Sequence, residues 1–133
     1  MSTDVEQELE RSTRMRGFRF GLHDFIAGLG GAEALKKIND HVAATYLKEG
    51  LVDRKTKELV IIASLAALKD KISHMQIHMH AAHKAGASPE EIMEILNVVS
   101  GDIGNVAKHN ALEAWRVTFR PDLPSIDQVV ELR

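Results

Sequence analysis

A chain of 133 residues, 44% hydrophobic and 27% charged, has the size and composition of one compact globular domain. Its net charge of −2 and pI near 6.4 argue against a nucleic-acid-binding surface or a polybasic membrane-binding surface. The chain has no cysteine. This excludes disulfides, thiolate catalysis and thiolate metal ligands, and it fits a reducing compartment.

Two features of the chain predict a cytoplasmic protein. Residues 1–8 are acidic and lack the basic region and the apolar stretch of a signal peptide. The longest apolar run, Leu59–Leu68, contains Ser64 and falls well short of the ~20 residues that a membrane span needs.

The first half of the chain predicts helices separated by a glycine-rich break. Asp4–Met15 is highly charged and is expected to form a surface helix or arm. Gly28–Gly31 is the break. A phosphate-binding loop is the alternative interpretation, which the lack of a β-rich run before it disfavours. Ala32–Lys48 has apolar residues at helical spacing, and Gly50 is expected to end that helix.

The next two helices are predicted from their ends as well as from their periodicity. Asp53 is a suitable N-cap for a helix that is apolar on all sides over Leu59–Leu68. Such a helix is typical of the middle of a bundle or of an interface. Lys71–Ala85 is predicted as the following helix, and Gly86 is expected to end it.

The last two helices are predicted from capping signals. Residues 88–91, Ser-Pro-Glu-Glu, combine an N-cap serine, a proline at the first helical position and a glutamate that completes a capping box. Gly101 and Gly104 are expected to interrupt this helix, and Asp102 to cap the next one, which extends to about Phe119. The sequence therefore predicts a single all-α domain over residues 1–133, with about six helices.

Two histidines in the Lys71–Ala85 helix are the strongest candidates for chemistry. His74 and His78 are four residues apart, so they share one helical face with a lysine and several alanines. They can be structural, they can act in acid–base chemistry or substrate binding because imidazole titrates near neutral pH, or they can bind a metal. A metal would require a third ligand, such as His109 or Glu58. The glutamate of the metalloprotease motif is missing.

The remaining histidines are interpreted as structural or solvated. His80 and His83 project from the opposite side of the same helix and predict a solvated face. His23, His41 and His109 are single histidines with structural interpretations, and His109 stands out because it follows the glycine break.

Glu58 has two interpretations. It lies one turn after Arg54 and can form a surface ion pair with it. Alternatively, it is a buried carboxylate that orients an imidazole. The cations Arg54, Lys55 and Lys57 either receive an anionic substrate group or solvate the helix start.

Three segments resemble the carboxymuconolactone decarboxylase family, which includes the alkylhydroperoxidase D-like proteins. They are Asp53–Ala63, the spaced pattern of His78–Ile92 and the glycine-led run Gly104–Ala114. The resemblance covers a core of about residues 50–119, which leaves a helical arm at 1–30 and a tail at 120–133. It implies an all-α fold around a helical hairpin and a ring-shaped homo-oligomer, a trimer or hexamer.

The resemblance also bears on the site residues. His78 matches the family's recurrent histidine, whereas the peroxidase branch has a Cys-x-x-Cys pair where this chain has Lys71 and His74. Thiol chemistry therefore cannot be carried over. Glu58 resembles that branch's relay glutamate, one residue further from the pair, and the decarboxylase branch often has glutamate at the position of His74.

The resemblance and the residues together predict a cofactor-free, metal-free lyase that acts on a small carboxylated ring or lactone. The alternatives are a non-catalytic or metal-binding oligomer of the same fold and, nearly excluded, a thiol peroxidase. The expected partners are an acidic small molecule and further copies of the chain, with neither nucleic acid nor membrane. The predicted site residues are His78, His74 and Glu58 for catalysis and Arg54, Lys71 and His109 for substrate binding.

Overall fold

The computed structural model describes residues 3–133, which form six α-helices and contain no β-strand. The helices are α1 (Thr3–Arg16), α2 (Gly21–Ala44), α3 (Arg54–Ala67), α4 (Ile72–Lys84), α5 (Pro89–Ile103) and α6 (Asn105–Phe119). The prediction of an all-α fold with about six helices is confirmed. The helices fall into two compact units, Met1–Val52 and Asp53–Arg133. The single domain predicted over 1–133 stays a prediction.

The first unit is a pair of packed helices, α1 and α2. Its small core contains Val5, Leu9, Ala27 and Leu35. A buried polar contact lies between the helices, where the Ser12 hydroxyl donates to Oδ1 of Asn39 at 2.9 Å. Hydrogen bonding of this kind allows polar side chains to be buried without a large desolvation cost.

The predicted glycine-rich break is confirmed as a kink inside α2. Gly31 has φ 71° and ψ −165°, a region that side chains with a Cβ rarely adopt. The predicted end of this helix at Gly50 is wrong, because α2 ends at Ala44. At the next residue the backbone leaves helical geometry, and the Thr45 hydroxyl donates to the carbonyl of His41 at 2.8 Å. Side-chain bonds of this kind compete with helix continuation.

The second unit contains α3, α4, α5 and α6. Helix α4 packs against both α3 and α6, and α5 packs against α6 and α3. The unit's core consists of buried apolar residues from all four helices and the α4–α5 turn: Ile62, Ala66, Met75, Met79, Ala82, Ala87, Ile92, Leu96, Ala111 and Ala114. Helix α4, which carries the two candidate histidines, is therefore held from two sides.

The capping signals place these helices as predicted, with one exception. Asp53 accepts from the backbone N–H of Thr56 at 2.7 Å, and Ser88 and Glu91 form the reciprocal capping box. Gly86 follows α4 with φ 106°. The cap predicted at Asp102 is wrong, because α5 continues through this residue to Ile103.

Helix α3 is buried on one face only. Ile62 and Ala66 are fully buried, whereas Val60 is 59% exposed and Leu68 is 75% exposed. The prediction that this helix lies in the middle of the bundle is therefore wrong for a single chain. The alternative, that the helix lies at an interface between chains, stays a prediction.

No helix within residues 3–133 combines the length and the apolar character that crossing a bilayer requires.

Candidate active site

Helices α3 and α4 bring Glu58 and His78 together. The side chain of Glu58 is only 1% exposed and that of His78 is 17% exposed, and Nδ1 of His78 lies 3.0 Å from Oε2 of Glu58. An ionised carboxylate has no proton to donate, so Nδ1 carries the hydrogen of this bond. The other ring nitrogen, Nε2, has no hydrogen-bond partner among the residues described here. The geometry therefore fixes the ring and leaves Nε2 available for a ligand.

Glu58 also accepts from Arg54, whose Nε lies 3.0 Å from Oε1. The predicted Arg54–Glu58 pair thus exists, but it is not a surface pair, because the carboxylate is buried. A buried carboxylate requires charged or hydrogen-bonded partners to offset its desolvation. Of the neighbouring cations, Lys55 forms an ion pair with Glu91 at 2.5 Å.

His74 has a carboxylate of its own. Its Nδ1 is hydrogen-bonded to Oδ2 of Asp70, in the turn before α4. The His74 and His78 rings are 5.0 Å apart between centroids and lie edge to face at 77°. Sequence reasoning missed Asp70, although an aspartate four residues before a histidine is a detectable signal.

Of the predicted substrate-binding residues, Lys71 lies at the start of α4 and His109 lies on α6. Lys71 is exposed and forms the N-cap position of α4, next to Asp70. His109 lies on α6 in a cleft of about 420 Å³ whose lining includes neither His74 nor His78. The lining residues are Ile72, Val106, His109, Asn110, Glu113 and Asp127.

The cleft contains a strongly stabilised carboxylate. The pKa of Glu113 is lowered to about 2, chiefly by its hydrogen bond with Arg116 and then by the backbone N–H of Ile126. The bond from Ile126 attaches the C-terminal tail to α6, whereas the bond with Arg116 lies within the helix. Because both Glu113 oxygens already accept hydrogen bonds, this residue is a structural part of the cleft wall.

The other histidines occupy varied environments. His80 and His41 are exposed. His83 is exposed, as predicted, while its Nδ1 lies 2.9 Å from the carbonyl oxygen of Ala87 and its ring packs edge-on against Phe119. His23 is 2% exposed, and its Nδ1 has no hydrogen-bond partner.

A metal site was one interpretation of His74 and His78. Within residues 3–133, no three His, Asp or Glu side chains are arranged to hold a metal ion. Glu58, the proposed third ligand, is instead the hydrogen-bond partner of His78.

The family model described as the carboxymuconolactone decarboxylase family matches residues 32–116, whereas no curated protein and no solved structure matches the chain. The matched segment includes α3, α4 and α5, most of α6 and both histidines of the candidate site. Because the match covers more than half of the 133 residues, the chain belongs to the carboxymuconolactone decarboxylase family.

Proposed function

We propose that the chain is a cofactor-free lyase that removes a carboxyl group from a small carboxylated ring or lactone by histidine acid–base chemistry. The observation that carries this proposal is the hydrogen bond between Nδ1 of His78 and the buried carboxylate of Glu58. A carboxylate on Nδ1 fixes the tautomer and orientation of an imidazole and stabilises its protonated form. Nε2 can then exchange a proton with a bound substrate.

The proposed reaction is balanced without an external electron sink. The bond between the ring carbon and the carboxylate carbon breaks, and its electron pair is delocalised through the adjacent double bond into the lactone carbonyl. Carbon dioxide leaves, and a proton is delivered to carbon to give the product. The protein needs a cation for the substrate carboxylate, a donor to the carbonyl oxygen and a proton source for carbon.

The described residues suggest how these roles are divided. His78 is the proposed proton source, and His74 is the proposed donor to the carbonyl oxygen, since the two rings are 5.0 Å apart. Lys71 is the proposed cation, because it is exposed beside these histidines in sequence. Arg54 contributes through Glu58, with which it already forms an ion pair. The chain has no cysteine for peroxidase chemistry.

The proposal includes a homo-oligomer, a trimer or hexamer, in the cytoplasm. Its support is the outer face of α3, where Val60 is exposed in a single chain, as is Leu68 at the C-cap. A protein–protein contact at this face would bury both apolar side chains. The same helix carries Glu58 on its buried face, so an interface on α3 would also stabilise the candidate site.

The test is a panel of muconolactone-type acids assayed for carbon dioxide release. The wild type is expected to turn over at least one of them, and His78→Ala is expected to lower kcat by about 10²–10⁴-fold, the usual contribution of a general acid or base. His80→Ala is the matched control, because His80 is an exposed histidine on the same helix. No turnover by the wild type, or equal turnover by His78→Ala, would contradict the proposal and favour a non-catalytic protein of the same fold.

A further inference from the structure

We propose that Asp70 is a positioning residue that holds His74 as a second acid–base group beside His78, so that the site works with two oriented imidazoles. The inference rests on the proposed function and deepens it. The family resemblance implies cysteine in one branch and often glutamate in the other at the position of His74. A histidine held by a carboxylate of its own therefore does not follow from the resemblance.

The backbone of Asp70 is fixed by the turn between α3 and α4. The N–H of Lys69 donates to the carbonyl of Ala66, and the N–H of Asp70 donates to the carbonyl of Leu65, both at 3.1 Å. This pair of bonds is a Schellman motif at the end of α3. Lys69 adopts the left-handed conformation that the motif requires, with φ 53°.

A third bond attaches the same turn to α6. Nδ2 of Asn110 donates to the backbone carbonyl of Asp70 at 2.9 Å. The main chain of Asp70 is therefore held at both its N–H and its carbonyl, by α3 and by α6. None of these bonds involves the carboxylate, which remains available to His74.

The carboxylate of Asp70 determines which ring nitrogen of His74 is hydrogen-bonded within the protein. Its hydrogen bond with His74 is the main reason that the pKa of Asp70 lies below its ordinary value, with burial opposing the effect. The ionised carboxylate only accepts, so Nδ1 of His74 carries the hydrogen and Nε2 is left for a ligand. His78 is oriented in the same way by Glu58. Both rings thus use Nδ1 for a carboxylate and Nε2 for chemistry.

Two imidazoles oriented in this way suit a substrate that exchanges protons or hydrogen bonds at two atoms. The centroid separation of 5.0 Å allows both rings to contact one five-membered lactone. When both rings are doubly protonated, one Nε2–H can hydrogen-bond the carbonyl oxygen, where negative charge develops, while the other delivers a proton to a ring carbon. The site is therefore suited to unsaturated lactones whose carbanion is an enolate, rather than to acids that lack a conjugated carbonyl.

The first test is histidine tautomer measurement by ¹⁵N NMR on the full-length protein at about pH 8, where ordinary imidazoles are neutral. Variants His74→Gln and His78→Gln assign the two signals. In the wild type, both rings are expected to be protonated at Nδ1. In Asp70→Ala, His74 is expected to change to the Nε2–H form that predominates for imidazoles without a partner, with His78 unchanged. Asp102→Ala, which removes an exposed carboxylate from α5, is the matched control and should change neither.

Two NMR results would overturn the proposal: a wild-type His74 protonated at Nε2, or an unchanged His74 tautomer in Asp70→Ala. Because the turn is held by main-chain atoms, Asp70→Ala is expected to fold, and its circular dichroism spectrum checks this. The second test is kinetic. On a substrate that the wild type converts, Asp70→Ala should lower kcat by about 10-fold or more with KM within about twofold, since general acid–base groups contribute at least that much.

Equal kcat in Asp70→Ala and wild type would also overturn the proposal. An inactive wild type would contradict the proposed function but not the tautomer result. The NMR arm therefore separates failure of the positioning claim from failure of the lyase assignment.

Discussion

The stability of this protein should fall steeply with acidification because of one buried histidine in the N-terminal unit. His23 is 2% exposed and its Nδ1 has no hydrogen-bond partner. Its ring packs edge-on against Phe20, with centroids 5.2 Å apart. Burial and, to a smaller extent, the positive charge of Arg16 lower the pKa of His23 to about 4, against a smaller opposing effect of Asp24.

The size of the effect follows from the difference between the folded and unfolded states. In the unfolded chain, His23 takes up a proton near its ordinary pKa of 6.5, whereas in the folded chain it does so only near 4. Its contribution to stability is therefore complete above pH 6.5 and is lost progressively as the pH falls towards 4. At 1.36 kcal/mol per pH unit, the loss is about 3 kcal/mol, a large share of a typical stability of about 5–15 kcal/mol.

The assay is urea denaturation, followed by circular dichroism at several pH values between about 7.5 and 4.5. His23→Leu removes the buried titrating group, and His41→Leu removes an exposed histidine as a control. The free energy of unfolding of the wild type and of His41→Leu should fall more steeply with acidification than that of His23→Leu. Parallel pH profiles for wild type and His23→Leu would refute the reasoning, whatever their absolute stabilities.

Four further predictions follow from single contacts. Lys69→Gly should raise the free energy of unfolding by about 1 kcal/mol, because Lys69 has a positive φ that glycine adopts without steric strain. An unchanged urea midpoint would contradict this. Ser88→Ala should lower it by about 1 kcal/mol through loss of the capping box, and retained stability would argue against that cap. Glu58→Ala should lower it by about 3 kcal/mol, because two partners lose a buried carboxylate, and a loss below about 1 kcal/mol would mean that the pair is weak. Val60→Asp should dissociate the oligomer, so that light scattering gives the 14.7 kDa monomer; a monomeric wild type would contradict the proposed interface.

The features that sequence predicted well are those determined by a few neighbouring residues. The caps at Asp53 and Ser88 and the helix end at Gly86 depend on local hydrogen bonds and φ values, which the residue type largely decides. The extent of α2 was overestimated, because the backbone leaves helical geometry at Thr45. There the N–H donates to the carbonyl of Val42, and the hydroxyl donates to the carbonyl of His41. Aspartate is a common N-cap residue, but the helix continues past Asp102. It ends after Ile103, where Gly104 adopts a positive φ of 85°.

The candidate site depended on contacts between distant residues. The approach of Glu58 to His78 spans 20 residues. The sequence offered a buried, orienting Glu58 only as an alternative to a surface pair with Arg54, because local spacing does not determine which distant residue a side chain meets. Asp70 was overlooked because it precedes α4, outside the predicted helix face. The separate position of His109 was not predictable, because it depends on how α6 packs against α4 and on where the C-terminal tail runs.

The central claim is that His78, oriented by Glu58, protonates a carbanion formed by decarboxylation. The most direct measurement is the reaction of a carboxylated unsaturated lactone in D₂O, with the product analysed by NMR. The account predicts one deuterium at the carbon that lost carbon dioxide or at its conjugated partner, added to a single face by the wild type. His78→Ala should lose this stereospecific labelling. Deuterium distributed equally over both faces by the wild type, or no conversion of any such lactone, would contradict the account.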